Sequence, residues 1–428
     1  MDLHPGTSRR SFLKAAVAVG GASALAACLD RFEDDKPIPT GTDDTSSLPA
    51  GQHEWNQSLD RDEHDNVILP KHHVFLYLDL ANGGEPTASD RESVETALQT
   101  IEQAYDWSHR GAVFELAYSP SYFDRFSESL DETIDLPMPT AIGSLENPTL
   151  DTQDALLHIA SDRPDALLAI EEAMFGDESE MNGVEITERL NSVFLVDNRR
   201  SGFIGPGLPA ERQDISGIPD DRPVPEESPL FMGFKAGFTG NQATEESVTI
   251  AAGPFAGGTT KHVSTVRQEL DKWYTENSFD DMVALMFSPE LASRGTVEGV
   301  GDNLGDHSGV TEEIYENVRE HAEQYRRVGH AEKAARANRD DDGNPLLLRR
   351  HVESTDGSVA SLHFPTYQLQ ISDFIAVREA MNGSDLTDTP SIQNRVNNGI
   401  LRYLFTQHRG NFLLPPRSLR SLPTPTGE

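Results

Sequence analysis

From residue 73 the chain alternates between short apolar, β-branched runs and longer stretches with helical spacing. His73 to Leu80 (HVFLYLDL) has the length and residue types of a strand, and apolar residues three and four apart from about Asp90 to Trp107 predict a helix. A second strand follows at Ala112 to Tyr118, then a strand at Ala155 to Ala160, a helix at Pro164 to Met174 and a strand at Ser192 to Val196.

Strand, helix, strand, strand, helix, strand is the order of a ferredoxin-like unit. A Pro- and Gly-rich passage, Ile204 to Pro229, separates it from a second alternating region. That region has an apolar segment at Phe231, a strand near Val248, a long alternating stretch from Thr259 and acidic helices between Glu312 and Arg339. A strand at Ser358 to Gln370, a helix at Asp373 to Met381 and a short strand at Asn411 complete it. The expected fold class is α+β: two ferredoxin-like units with antiparallel sheets, of the dimeric α/β-barrel type, over residues 69–215 and 216–428. Residues 29–68 lack a sustained apolar period and read as an acidic, flexible tether.

The first 28 residues differ from everything after them. Ser8-Arg9-Arg10-Ser11-Phe12-Leu13-Lys14 matches the twin-arginine export signature, with Arg9 and Arg10 as the paired arginines. The apolar run from Ala15 to Ala27 falls well short of the roughly 20 residues that span a bilayer, so it reads as a signal core. It ends in Leu25-Ala26-Ala27-Cys28, which resembles a lipobox, and Cys28 is the chain's only cysteine. The expectation is export by the twin-arginine translocase and a lipid anchor on Cys28 at the outer face of the cell membrane. An ordinary cleavage site beside an incidental cysteine is the alternative. One cysteine forms no internal disulfide.

Composition narrows the partners. With 71 acidic residues against 35 basic ones, the formal charge is -36, which repels nucleic acid and anionic lipid and leaves the anchor as the membrane contact. Acid excess over a chain with 36% hydrophobic residues and clear periodicity fits a folded protein adapted to high salt.

Nucleotide signals are weak: Gly299-Val300-Gly301 precedes no suitable helix, and no Gly-Lys-Ser or Gly-Lys-Thr loop occurs. Asp62-Glu63-His64-Asp65 reads as a solvated acidic loop, and Asp340-Asp341-Asp342-Gly343 as a turn without calcium-loop spacing.

Four segments together resemble the dye-decolourising peroxidase family, haem enzymes built from two ferredoxin-like units. They are Gly111 to Asp124 with its Ser119-Pro120-Ser121-Tyr122-Phe123-Asp124 turn, Asp154 to Asp162, Gly233-Phe234-Lys235-Ala236-Gly237 at the place of the family's GxxDG motif, and Ala256-Gly257-Gly258-Thr259. The order agrees over about residues 72 to 418.

The resemblance implies a haem b cofactor, with Gly233, Phe234 and Gly237 beside it, and peroxide reduction at the expense of an organic donor. A homo-oligomer is compatible with it. His330, in Gly329-His330-Ala331-Glu332, occupies the family's position for the iron ligand, and Arg349, in Leu347-Leu348-Arg349-Arg350, that of the distal arginine. A neutral imidazole suits peroxidase iron, and a fixed guanidinium suits the charge that develops as peroxide breaks. A surface histidine on an acidic helix remains the alternative for His330, and pairing with a carboxylate the alternative for Arg349.

The family's aspartate, which moves the peroxide proton, is Ala236 here. His351 is the candidate replacement, because residues 349 and 351 of an extended segment point to one face; a half-exposed strand histidine is the alternative. The loss of the aspartate keeps open a haem-binding lipoprotein without turnover, and a binding module without haem.

Overall fold

The computed structural model describes residues 36–143 and 145–427. The signal, with Arg9, Arg10 and Cys28, lies outside them. Among the described residues no helix is long and apolar enough to cross a membrane.

The first unit runs β1 (His72–Leu80), α1 (Ala88–Ala104), β2 (Val113–Tyr118), β3 (Ala155–Ser161), α2 (Pro164–Phe175) and β4 (Phe194–Phe203). Its spatial order is β4-β1-β3-β2, all antiparallel. Helix α1 starts at a capping box, where Thr87 and Asp90 satisfy each other's backbone, and turns Val94, Ala97, Leu98, Ile101 and Ala104 inward. These residues pack on Val74, Leu76 and Leu78 of β1.

The second unit repeats the plan with β5 (Thr259–Gln268), several short helices ending in α3 (His330–Ala337), β6 (Val352–Ser354), β7 (Ser361–Gln368), α4 (Ile371–Ala380) and β8 (Leu404–Leu414). Its order, β8-β5-β7-β6, mirrors the first. Strand β8 meets β2, and β6 meets β4, so the two sheets close into one barrel. The expected fold class is the observed one.

Strand periodicity decides what each face does. Residues Phe75, Tyr77, Leu156, Val263, Tyr367 and Phe412 fill the barrel interior. Within it sits a buried polar group: Glu115 meets the Lys261 ammonium and the Tyr367 hydroxyl (2.7 Å), and His158 lies 3.2 Å from Glu115 and 2.9 Å from His73.

Four expectations change. The described part of the supposed tether, 36–68, is packed: Trp55 and His53 are fully buried, and the Trp55 amide donates to Glu245. The segment carries too few apolar residues to show a period, but its one tryptophan anchors it. Val248 is buried in a turn, its amide bonded to Thr244, and is not in a strand. The strand placed at Ser192 to Val196 runs on to Phe203, and the short strand at Asn411 is an 11-residue strand. Polar residues on these two strands hide their length from a hydrophobic pattern.

The halves also interlock beyond residue 215. Residues after Pro415 return to the first unit, where Tyr118 donates to the Arg420 carbonyl (2.5 Å) and Tyr122 to that of Pro423 (2.9 Å). The 216–428 segment is therefore not one separate unit.

Candidate functional site

The outer face of the second sheet is not sealed by its helices. A cavity of about 800 Å³ lies between β5, β7 and β8 on one side and α3, α4 and the 230–238 segment on the other. Phe234, Ala236, Gly237, His330, Arg349 and His351 all border it. Gly233 stands behind the wall: its φ of +87° makes the turn, and a Cβ there would lie 3.1 Å from the Tyr274 hydroxyl. Six of the seven positions singled out in the sequence thus meet in one place, although they come from three separate stretches of the chain.

 The fold, and not chain proximity, brings them together: Phe234 to Gly237 enter from the loop before β5, and Arg349 and His351 from the segment leading into β6.

His330 is the first residue of α3 and is held from both sides by glycines. A Cβ on Gly329 would collide with the carbonyl oxygen of Phe287, and one on Gly399 would lie 3.1 Å from the His330 backbone nitrogen. Glu332 completes the cap by accepting from the Gly329 amide (2.7 Å), while its other oxygen meets His321 Nδ1 (2.9 Å). Among the described residues the imidazole has no hydrogen-bond partner, and its Nδ1 is enclosed. Burial, then the charges of Lys333 and Arg349, lower its pKa to about 3, so the ring is a neutral donor. The surface-histidine alternative does not hold.

Arg349 has one long side-chain hydrogen bond. Its amide donates to Gln242 (2.7 Å) and its Nη2 reaches the Asn241 carbonyl at 3.4 Å, but among the described residues Nε has no partner and no carboxylate pairs with it. Burial lowers its pKa to about 10, so it stays charged. The neighbouring Arg350 takes the carboxylate instead, binding Glu245 and stacking on Trp55 at 4.5 Å. His351 Nδ1 is also enclosed without a partner, and its ring lies 5.8 Å from that of Phe364. Burial, then Arg349, lower its pKa to about 4.

Four residues of the cavity were not singled out in the sequence. Glu353, two residues beyond His351, borders it with a carboxyl that burial pushes up to about 8. Extending the alternation of 349 and 351 by one step would have found it. Arg378, Arg395 and Arg409 also reach the cavity, from α4, the following loop and β8. Arg409 pairs with Glu146 at 2.9 Å, whereas Arg395 donates to the carbonyl of Leu404 at 2.5 Å and has no carboxylate partner among the described residues. No local pattern announces these residues, because three separate elements deliver them.

The arrangement defines a class: a closed barrel of two ferredoxin-like units with a large, cation-rich cavity on its second sheet. Solved structures similar to it include dye-decolourising peroxidases. They include the dye-decolorizing protein from V. cholerae (13% identity, TM-score 0.52, covering 86% of this chain and 98% of that one). A DypB variant from Rhodococcus jostii in complex with haem has 15% identity and a TM-score of 0.54, covering 87% and 98%. The encapsulated DyP-type peroxidase from Mycobacterium smegmatis has 15% identity and a TM-score of 0.54, covering 86% and 99%. At these identities the likeness establishes the fold. No curated protein matches the sequence. Residues 70–416 match the family of unknown function DUF7405, and the chain belongs to that family.

Proposed function

We propose that this protein is an exported haem peroxidase that reduces peroxide with an organic electron donor. The observation that carries the reading is His330, a neutral imidazole with no hydrogen-bond partner, at the edge of a cavity of about 800 Å³. The residues present fit haem b. His330 would hold the iron, the apolar side chains of Phe234, Phe287, Leu347 and Phe364 would face the macrocycle, and Arg395, bonded only to backbone carbonyls among the described residues, would offset its carboxylates. Bound there, haem would supply the redox chemistry.

The chain's own groups would do the rest. Arg349 would hold developing negative charge, since it is charged, enclosed and unpaired. His351 would carry a proton at Nδ1 or Nε2, although burial, and then Arg349, make it a weak base. Arg9 and Arg10 would direct the folded protein to the twin-arginine translocase, and Cys28 would anchor it by lipid to the outer face of the membrane.

The test is a haem titration of the mature protein. A Soret band that His330→Ala removes or shifts supports the reading, and no Soret band overturns it. Peroxide-dependent oxidation of a phenol then separates turnover from binding. A second reading, a haem-binding lipoprotein without turnover, is favoured by Ala236, whose methyl borders the cavity where the resembling family has its acid.

A further inference from the structure

Leu347, Arg349, His351 and Glu353 border the cavity, while Leu348, Arg350 and Val352 face the barrel interior. This extended segment therefore presents a guanidinium, an imidazole and a carboxyl to one space, with neighbours roughly 7 Å apart.

The carboxyl has unusual company. Glu353 is 1% exposed, and its oxygens accept from the Phe231 amide (2.9 Å) and from Gln268 Nε2. Neither donor is charged. The titratable group facing it from the adjacent helix is Tyr274, whose hydroxyl donates to the Phe231 carbonyl at 2.6 Å and which burial keeps neutral. On its own segment it is accompanied by neutral His351 and charged Arg349. Gln268 Oε1 is enclosed without a donor, so a turned amide would receive the Glu353 proton.

We infer that Glu353 stores a proton for this cavity and decides whether it retains small weak acids as their anions. While the carboxyl is neutral, Arg349 gives this wall a net positive charge that attracts an anion. Once Glu353 ionises, its charge cancels that of Arg349 and the wall no longer holds the anion. By linkage, a bound anion favours the protonated carboxyl, so binding above its midpoint takes up a proton. For the ligand's seat the inference rests on the haem reading; for the proton it does not.

Azide, an anion at neutral and alkaline pH, is the probe. With haem-loaded mature protein, azide affinity should fall about tenfold per pH unit above about pH 8, with close to one proton taken up per azide. Calorimetry in two buffers of different ionisation heat counts that proton. Glu353→Gln should flatten the pH dependence and abolish the uptake while the Soret band is kept. The same decline in the variant overturns the inference. If no haem is taken up, the proposed function fails, and infrared spectra of the haem-free protein decide on Glu353. A protonated-carboxyl band that disappears as pH rises through about 8 and is missing from Glu353→Gln supports proton storage. Its absence from the unmutated protein overturns it.

Discussion

Gly399 lies against the backbone of His330, so close that a Cβ on it would stand 3.1 Å from both the nitrogen and the Cα of the histidine. Its φ of +60° adds strain for any side chain. Gly399→Ala should therefore cost about 1–3 kcal/mol of stability, read by urea unfolding, and shift α3 enough to weaken haem uptake. Unchanged stability and unchanged haem affinity would show that the segment yields and does not position the ligand.

Restoring a carboxyl at Ala236 tests what its loss means. Because residue 236 borders the cavity and Arg349 provides a compensating charge there, Ala236→Asp should fold and raise peroxide-dependent phenol oxidation at least tenfold, toward the roughly 10²–10⁴-fold of a positioned acid–base group. Equal rates in the two proteins would place proton handling with His351 or Glu353.

How much of this could be read from the sequence depended on whether the information was local. Strands with alternating apolar residues, such as β1 and β7, announce themselves; β4 and β8 carry Asn198, Arg199, His408 and Arg409 and do not. His330 and Arg349 were placed by a family resemblance, not by residue type. Trp55 was hidden because one aromatic residue has no period, and Arg395 because its cavity role arises only when the loop after α4 closes over the sheet.

Inside the barrel, Lys261 and Glu115 form an ion pair with both side chains fully buried. Burial pushes the Glu115 carboxyl up, but the Lys261 charge and the His158 bond hold it well below the usual carboxylate range. A depressed carboxylate contributes stability above its unfolded pKa, and that contribution is lost as pH falls through its folded pKa. Lys261→Met should cost about 3–5 kcal/mol at neutral pH, because it leaves a buried charge unpaired. The double variant Lys261→Met, Glu115→Leu should recover most of it in urea unfolding; additive losses would mean that the packing, and not the charge, is responsible.

Glu353 makes the opposite prediction. Its folded pKa, about 8, is above the ordinary value of 4.5, so the folded state favours the protonated form. The stability this provides is fully present below about pH 4.5 and disappears as pH rises through about 8. A difference of this size corresponds to roughly 4–5 kcal/mol at most, since each pKa unit is about 1.4 kcal/mol. Glu353→Gln keeps an oxygen for the Phe231 amide and cannot ionise. Its stability relative to the unmutated protein should therefore grow from about pH 5 to about pH 9 in haem-free samples, where no ligand equilibrium interferes. A constant difference across that range would show that the carboxyl ionises freely in the fold, and that water or a cation reaches it.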